Sequence, residues 1–213
     1  TGCPSIDLCK GNNFSLSKNF LNKFGSGASI YTDENYILVV QHPVTTEFSN
    51  AETQIRETIE AVKIFCKKTN YKAIWLWPNI DAGSDTFSKK LRILKDTNPD
   101  YVRFVKNFTP EDYIKVMVNS QCIIGNSSSG IREASFLGVP SVNIGTRQSD
   151  RERGLNVKDV GYDRYKIFNS ILQQVGKKFK KSFIYGSGDA GKKIAKILSK
   201  SNFTINKKLN YLK

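Results

Sequence analysis

Between residues 36 and 144 the chain alternates short apolar runs with amphipathic stretches, and that alternation leaves few folds open. Tyr36-Ile37-Leu38-Val39-Val40, Ala73-Ile74-Trp75-Leu76-Trp77 and Tyr101-Val102-Arg103-Phe104-Val105 read as strands, followed by Cys122-Ile123-Ile124 and Ser141-Val142-Asn143-Ile144. Near-continuous apolarity, rather than strict alternation, marks strands buried on both faces. Between them, Glu52 to Lys68 places Ile55, Ile59, Val62 and Cys66 on one helical stripe. Residues 85–96 read as a helix carrying Phe87, Leu91 and Leu94. Thr109-Pro110 opens another, with a cap residue, a proline and first-turn acids. The order predicts an α/β fold, a parallel sheet with helices on both faces. Such sheets bind ligands beyond the carboxyl ends of their strands, where His42, Asn79, Phe108, the serine turn at 125–133 and Arg147 fall.

The flanks depart from this pattern. Residues 1–30, with Gly2-Cys3-Pro4-Ser5 and Gly25-Ser26-Gly27, read as an interdomain connector outside the sheet, and 31–213 as the folded domain. From about Tyr165 the sequence gives two amphipathic helices separated by Phe183-Ile184-Tyr185-Gly186.

The length of 213 residues suits one domain with a real core. Its 33 Lys plus Arg against 19 Asp plus Glu give a net charge of +14, which suits an anionic partner or a lysine-rich solvated surface. Many lysines are paired, as in Lys67-Lys68, Lys177-Lys178, Lys180-Lys181 and Lys207-Lys208, without the interleaved aromatics of a nucleic-acid platform. No run approaches the ~20 apolar residues of a membrane span, and no signal peptide is visible. Cys3, Cys9, Cys66 and Cys122 match no zinc spacing, and the single histidine is distant from them. Cys66 and Cys122 read as buried thiols, so a reduced, cytoplasmic protein without metal or cofactor is expected. The chain begins at Thr1 and its only methionine is Met117, so a fragment, a processed form or an incomplete reading is expected.

Two glycine-rich turns compete as anion sites. In Gly125-Asn126-Ser127-Ser128-Ser129-Gly130-Ile131-Arg132-Glu133, small residues at a strand-to-helix turn let backbone N–H groups approach an anion, with the helix terminus adding positive charge. Ser127 and Ser128 are the expected phosphate contacts, and Glu133 is placed to accept from a sugar diol. Gly186-Ser187-Gly188-Asp189-Ala190-Gly191 satisfies a dinucleotide pattern after a strand-like triplet, but no completing βαβ unit or ribose acid follows. It reads as a turn into a closing helix.

Gln41-His42-Pro43-Val44, Asn79-Ile80-Asp81-Ala82-Gly83, the 125–133 turn, Phe136-Leu137-Gly138-Val139-Pro140 and Gly145-Thr146-Arg147-Gln148 occur in that order. Together they resemble the second half of hydrolysing UDP-N-acetylglucosamine 2-epimerases of the sialic- and legionaminic-acid pathway type. The resemblance implies a Rossmann-like domain, the second of a two-domain enzyme of GT-B architecture, which binds UDP and a UDP-N-acetylhexosamine. It implies that the sugar–UDP bond is cleaved by elimination to a glycal, then hydrated to N-acetylmannosamine. It further implies that His42 meets the diphosphate as ligand or proton carrier, and that Asn79 and Phe108 flank the nucleotide. Phe108 is expected to pack on the uracil, with a core aromatic as the near alternative. Arg147 is the expected phosphate clamp, with Arg151 and Arg153 as nearby alternatives. Asp81 and Asp85 read as turn and cap residues.

The family's acid/base carboxylates lie in the first domain, so the chain alone is expected to bind UDP weakly and not to turn over. The missing N-terminal domain is an expected partner; a homo-oligomer is left open, and nucleic acid and membrane are not expected. A GT-B glycosyltransferase domain and a non-catalytic UDP-sugar-binding module are the competing readings.

Overall fold

The five strands expected between residues 36 and 144 are present in the computed structural model, which describes residues 1–11 and 13–201; the Lys207-Lys208 pair and the end of the 31–213 domain lie outside the described residues. The strands are β1 (Ser26–Gly27), β2 (Tyr36–Val40), β3 (Lys72–Leu76), β4 (Val102–Val105), β5 (Ile123–Gly125), β6 (Ser141–Ile144) and β7 (Val157–Val160). The helices are α1 (Pro4–Asp7), α2 (Ala51–Lys68), α3 (Ser84–Asp96), α4 (Pro110–Asn119), α5 (Glu133–Leu137), α6 (Arg164–Gln174) and α7 (Ala190–Leu198). Among the described residues one sheet forms in the order β1-β4-β3-β2-β5-β6-β7, parallel except for β1. This is the α/β, Rossmann-like sheet expected.

Strand periodicity divides the core. Ile37 and Val39 of β2, with Ala73 and Trp75 of β3, pack under α2, α3 and α6. The alternate residues Tyr36, Leu38, Val40, Ile74 and Leu76 pack under α4 and α5. Successive side chains of a strand point to opposite faces, so a run apolar at every position needs helices on both sides. α4 begins as its sequence dictates: Thr109 Oγ1 accepts from the Asp112 N–H and Pro110 occupies the first turn.

Four points differ from the sequence reading. Residues 1–30 are not wholly outside the sheet, because Ser26 and Gly27 pair antiparallel with Phe104 and Arg103. The cause is Arg103, only 7% exposed, whose guanidinium donates to the carbonyls of Leu21, Asn22, Phe24 and Ala28 at 2.7–3.1 Å. Among the described residues this cation has no carboxylate partner; carbonyl dipoles hold it, and the segment that supplies them is fixed in return. β7 was not foreseen, since Val157-Lys158-Asp159-Val160 is a partly exposed edge strand without an apolar run. Phe183-Ile184-Tyr185 forms no strand, and α3 is capped at Gly83 rather than by the Asp85 side chain.

The second glycine-rich turn is filled by the chain itself. At the start of α7, the N–H groups of Ala190 and Gly191 donate to Asp7 Oδ1 and Oδ2 at 3.0 and 2.8 Å. A carboxylate of α1 occupies the position an anion would take.

β2 pairs with β3 on one side and β5 on the other, and the winding runs outward in opposite directions from these two central strands. The carboxyl ends of β2 and β5 therefore border the switch-point crevice where open α/β sheets bind ligands.

Candidate functional site

Gly125 ends β5 with φ of +124°, a conformation that side chains rarely adopt, and turns the chain sharply into Asn126. Asn126 is fully buried and joins the two central strands: its Oδ1 accepts from the His42 N–H and its Nδ2 donates to the His42 carbonyl, both at 2.8 Å. The Asn126 carbonyl accepts from Gln148 Nε2 at 2.8 Å and Arg147 Nη1 at 3.3 Å. One residue thus ties together the loops after β2, β5 and β6. Its position inside the serine turn was visible in the sequence, but its partners, 84 residues upstream and about 20 downstream, were not.

His42 is 7% exposed, and its Nδ1 accepts from the Asn79 N–H at 3.1 Å. The neutral ring therefore keeps its proton on Nε2. Burial, then the Arg147 charge, push its pKa down to about 4 against a smaller opposing pull from Asp81. An unfolded chain takes up this proton near 6.5, the folded one only near 4, so the unfolded state binds more protons in between. The resulting stability is present above pH ~6.5 and lost as pH falls towards 4, in all about 3 kcal/mol. Chemical denaturation at pH 7.5 and 4.5 should show this extra acid sensitivity in the natural chain and its absence in His42→Gln.

Arg147 lies between the Asn126 carbonyl and Asp81, whose Oδ2 is 3.8 Å from Nη2. Asp81 also makes the expected turn, its carbonyl accepting from the Ser84 N–H. Arg153 is committed elsewhere, to both carboxylate oxygens of Asp159 and to the Gln148 carbonyl. Arg151 lies by another cleft, with Cys3, Tyr185 and Arg132, the last of which reaches Ser128. Arg147 is thus the arginine beside His42. The loops around it enclose a cavity of about 560 Å³ lined by Pro43, Glu47, Asp81, Thr146, Arg147 and Ser149. A groove of about 570 Å³ between α2 and α3 is lined by Ile59, Ile93, Leu94 and several lysines, with none of these groups. Size alone does not mark the site.

The serine turn is a 3-10 turn at Ser128–Gly130, and α5 begins only at Glu133 and lasts five residues. The helix dipole foreseen there is correspondingly small, and local donors matter more. Among the described residues the N–H groups of Ser127 and Ser128 have no protein acceptor. Ser127 Oγ accepts from the Ser129 N–H, while Ser128 Oγ accepts from Arg132 Nη2 at 2.9 Å. Glu133 is 8% exposed, and its Oε2 has no hydrogen-bond partner, only Arg132 Nε at 3.8 Å. A buried carboxylate oxygen left unpaired is costly and marks a place for a donor. Phe108 is 5% exposed, with its ring edge-on to Phe24 at 4.9 Å within the core. That burial fits the core reading and leaves little ring face for a base. Asn79 stands at the carboxyl end of β3, linked to His42 through its backbone.

Among the described residues no helix is long and apolar enough to cross a membrane. Residues 1–199 match the family model for UDP-N-acetylglucosamine 2-epimerase. Over 198 residues the chain is 31% identical to the UDP-N,N'-diacetylbacillosamine 2-epimerase (hydrolyzing) of Legionella pneumophila, covering 92% of this chain and 50% of that protein. It is 31% identical over 157 residues to a UDP-N-acetylglucosamine 2-epimerase of Neisseria meningitidis, covering 73% of this chain and 40% of the relative. The fold matches the Methanocaldococcus jannaschii UDP-GlcNAc 2-epimerase solved with UDP-GlcNAc and UDP, at a TM-score of 0.66 and 15% identity, over 94% of this chain and 54% of that one. The chain spans about half the length of the curated relatives it matches, and it belongs to the UDP-N-acetylglucosamine 2-epimerase family.

Proposed function

We propose that this chain is the UDP-binding, C-terminal half of a hydrolysing 2-epimerase acting on a UDP-linked 2-acetamido sugar. The observation that supports the reading is the set of groups on the loops that follow β2, β5 and β6. Among the described residues, neutral His42, Arg147 and the N–H groups of Ser127 and Ser128, which have no protein acceptor, offer donors, and the buried Glu133 Oε2, which has no hydrogen-bond donor, offers an acceptor. A nucleoside diphosphate has the matching parts: anionic phosphates for the donors and a ribose diol for the carboxylate.

In the proposed reaction the sugar–UDP bond breaks by elimination across carbons 1 and 2, and water adds to the resulting glycal. The task of this half is to hold UDP and stabilise the charge that grows on the departing phosphate. Donors fixed before reaction do this without reorganising, each charge-assisted hydrogen bond being worth about 1.5–3 kcal/mol. His42 would serve as one of them. With Nδ1 engaged by Asn79 its free edge is the Nε2–H, so it donates to the phosphate and carries no proton away. The acid/base groups would come from the half absent here. Phe48 and Ile80, exposed in the loops after β2 and β3, suit a face covered by that half.

Calorimetric titration with UDP, GDP and UMP tests the assignment. UDP should bind, with UMP at least about tenfold weaker for want of the second phosphate, a difference of about 1.4 kcal/mol. Ser127→Ala and Glu133→Ala should each weaken UDP binding. Because Glu133→Ala also removes the carboxylate beside Arg132 Nε, unfolding temperatures are measured alongside to keep affinity separate from folded fraction. No saturable binding of UDP by the natural chain would overturn the reading, and turnover of UDP-N-acetylglucosamine by this chain alone would refute its dependence on a second half.

A further inference from the structure

The serine turn continues inward through a row of hydroxyl groups. Ser127 Oγ lies 2.9 Å from Ser129 Oγ, which lies 2.6 Å from the Tyr113 hydroxyl on α4. The Ser129 N–H also donates to Ser127 Oγ. Each hydroxyl has one proton, so the row can point either way. If Ser127 donates inward to Ser129, it presents lone pairs outward and repels an anion. If the protons point outward, Ser127 accepts from Ser129 and its own proton is free for a phosphate oxygen.

The inner, partly buried end decides between these states. The hydrogen-bonding partners of the Tyr113 hydroxyl are the serine hydroxyls, and the Glu133 charge also acts on it. Its burial against the core pushes the phenol pKa up, so the hydroxyl stays protonated at any physiological pH. A phenol is also a stronger donor than an alcohol. Donation from Tyr113 fills an acceptor site on Ser129 and leaves the Ser129 proton to Ser127. Hydrogen bonds in such a row polarise one another, which strengthens the outermost donor.

Resting on the assignment of the serine turn as the diphosphate site, we propose that Tyr113 is a positioning residue that sets the polarity of a Tyr113–Ser129–Ser127 hydroxyl relay, so that Ser127 is held as a donor to the phosphate. Tyr113 touches no ligand in this scheme. Its effect reaches the ligand only through Ser127, and that gives a test which a packing role would fail.

The test is a double-mutant cycle read by calorimetric titration of the whole chain with UDP and with uridine. Tyr113→Phe keeps the ring and removes only the hydroxyl. It should weaken UDP binding about 3- to 10-fold, the range expected for one neutral hydrogen bond, and leave uridine binding unchanged. In a Ser127→Ala background the same substitution should change UDP affinity less than 2-fold, because the relay then has no outlet. Equal losses in both backgrounds, a parallel loss for uridine, or no loss in the natural background would each overturn the relay. If Ser127→Ala itself leaves UDP affinity unchanged, the diphosphate assignment of the turn falls and the relay with it. A loss with Ser127→Ala but none with Tyr113→Phe removes the relay alone. Unfolding temperatures of all variants keep affinity separate from the folded fraction.

Discussion

Gly125→Ala should destabilise the chain by about 3–5 kcal/mol, the sum of a strained backbone and a buried overlap. At Gly125 an added Cβ would stand 2.1 Å from the Val40 carbonyl oxygen and 2.6 Å from its carbon. Neither atom can retreat easily. Val40 is the last residue of a central strand, and its oxygen accepts from the Asn126 N–H at 3.1 Å. The φ of +124° adds backbone strain for any residue with a side chain. For a domain of this size each kcal/mol moves the unfolding temperature by about 2–4 °C, so a fall of about 10–20 °C is expected by circular dichroism. Gly161→Ala is the matched control, since a Cβ there meets nothing within 4 Å. It should leave stability level or raise it by up to about 1 kcal/mol. A Gly125→Ala melt within a few degrees of the natural chain would mean the close approach of β2 and β5 is not fixed as described.

The same close approach explains what could be read from the sequence and what could not. The five inner strands and the helices between them follow from apolar runs and helical stripes, which report burial directly. β1 and β7 carry no such signal: two residues pair because Arg103 gathers the carbonyls before them, and an edge strand of mixed polarity pairs because β6 offers a free edge. Single-residue chemistry was legible where it sits in a motif, as with His42, Ser127, Glu133 and Arg147. The network that orients those residues was not, because Asn126, Tyr113 and Asn79 act across long stretches of chain. The Gly186–Gly191 motif was legible as a turn into a closing helix, and α7 follows it; what was not legible is that Asp7 fills its terminus. Arg147 was the expected clamp with Arg151 and Arg153 as alternatives, and what commits Arg153 elsewhere, its pairing with Asp159, is visible only in the fold.

Asn126→Ala should weaken UDP binding by about 30- to 100-fold while the chain still folds below room temperature. The carboxamide pairs with both the N–H and the carbonyl of His42, and its removal leaves two buried backbone groups unpaired at about 1–3 kcal/mol each. Part of that cost appears as lost stability. The rest is relieved by movement of the His42 loop, which spoils the geometry of a donor that must already be in place when the phosphate arrives. Because His42 is the only histidine in the chain, its ring resonances can be followed without ambiguity. In the natural chain they should titrate near 4 and show the proton on Nε2. In Asn126→Ala the loop is released to solvent, the burial that lowers the pKa is relieved, and the midpoint should climb towards 6.5. The two readouts are linked by one cause, so they must move together. A variant that loses UDP affinity while His42 still titrates near 4 would place the effect in the serine turn or Arg147, and one that keeps affinity within threefold would remove Asn126 from the site.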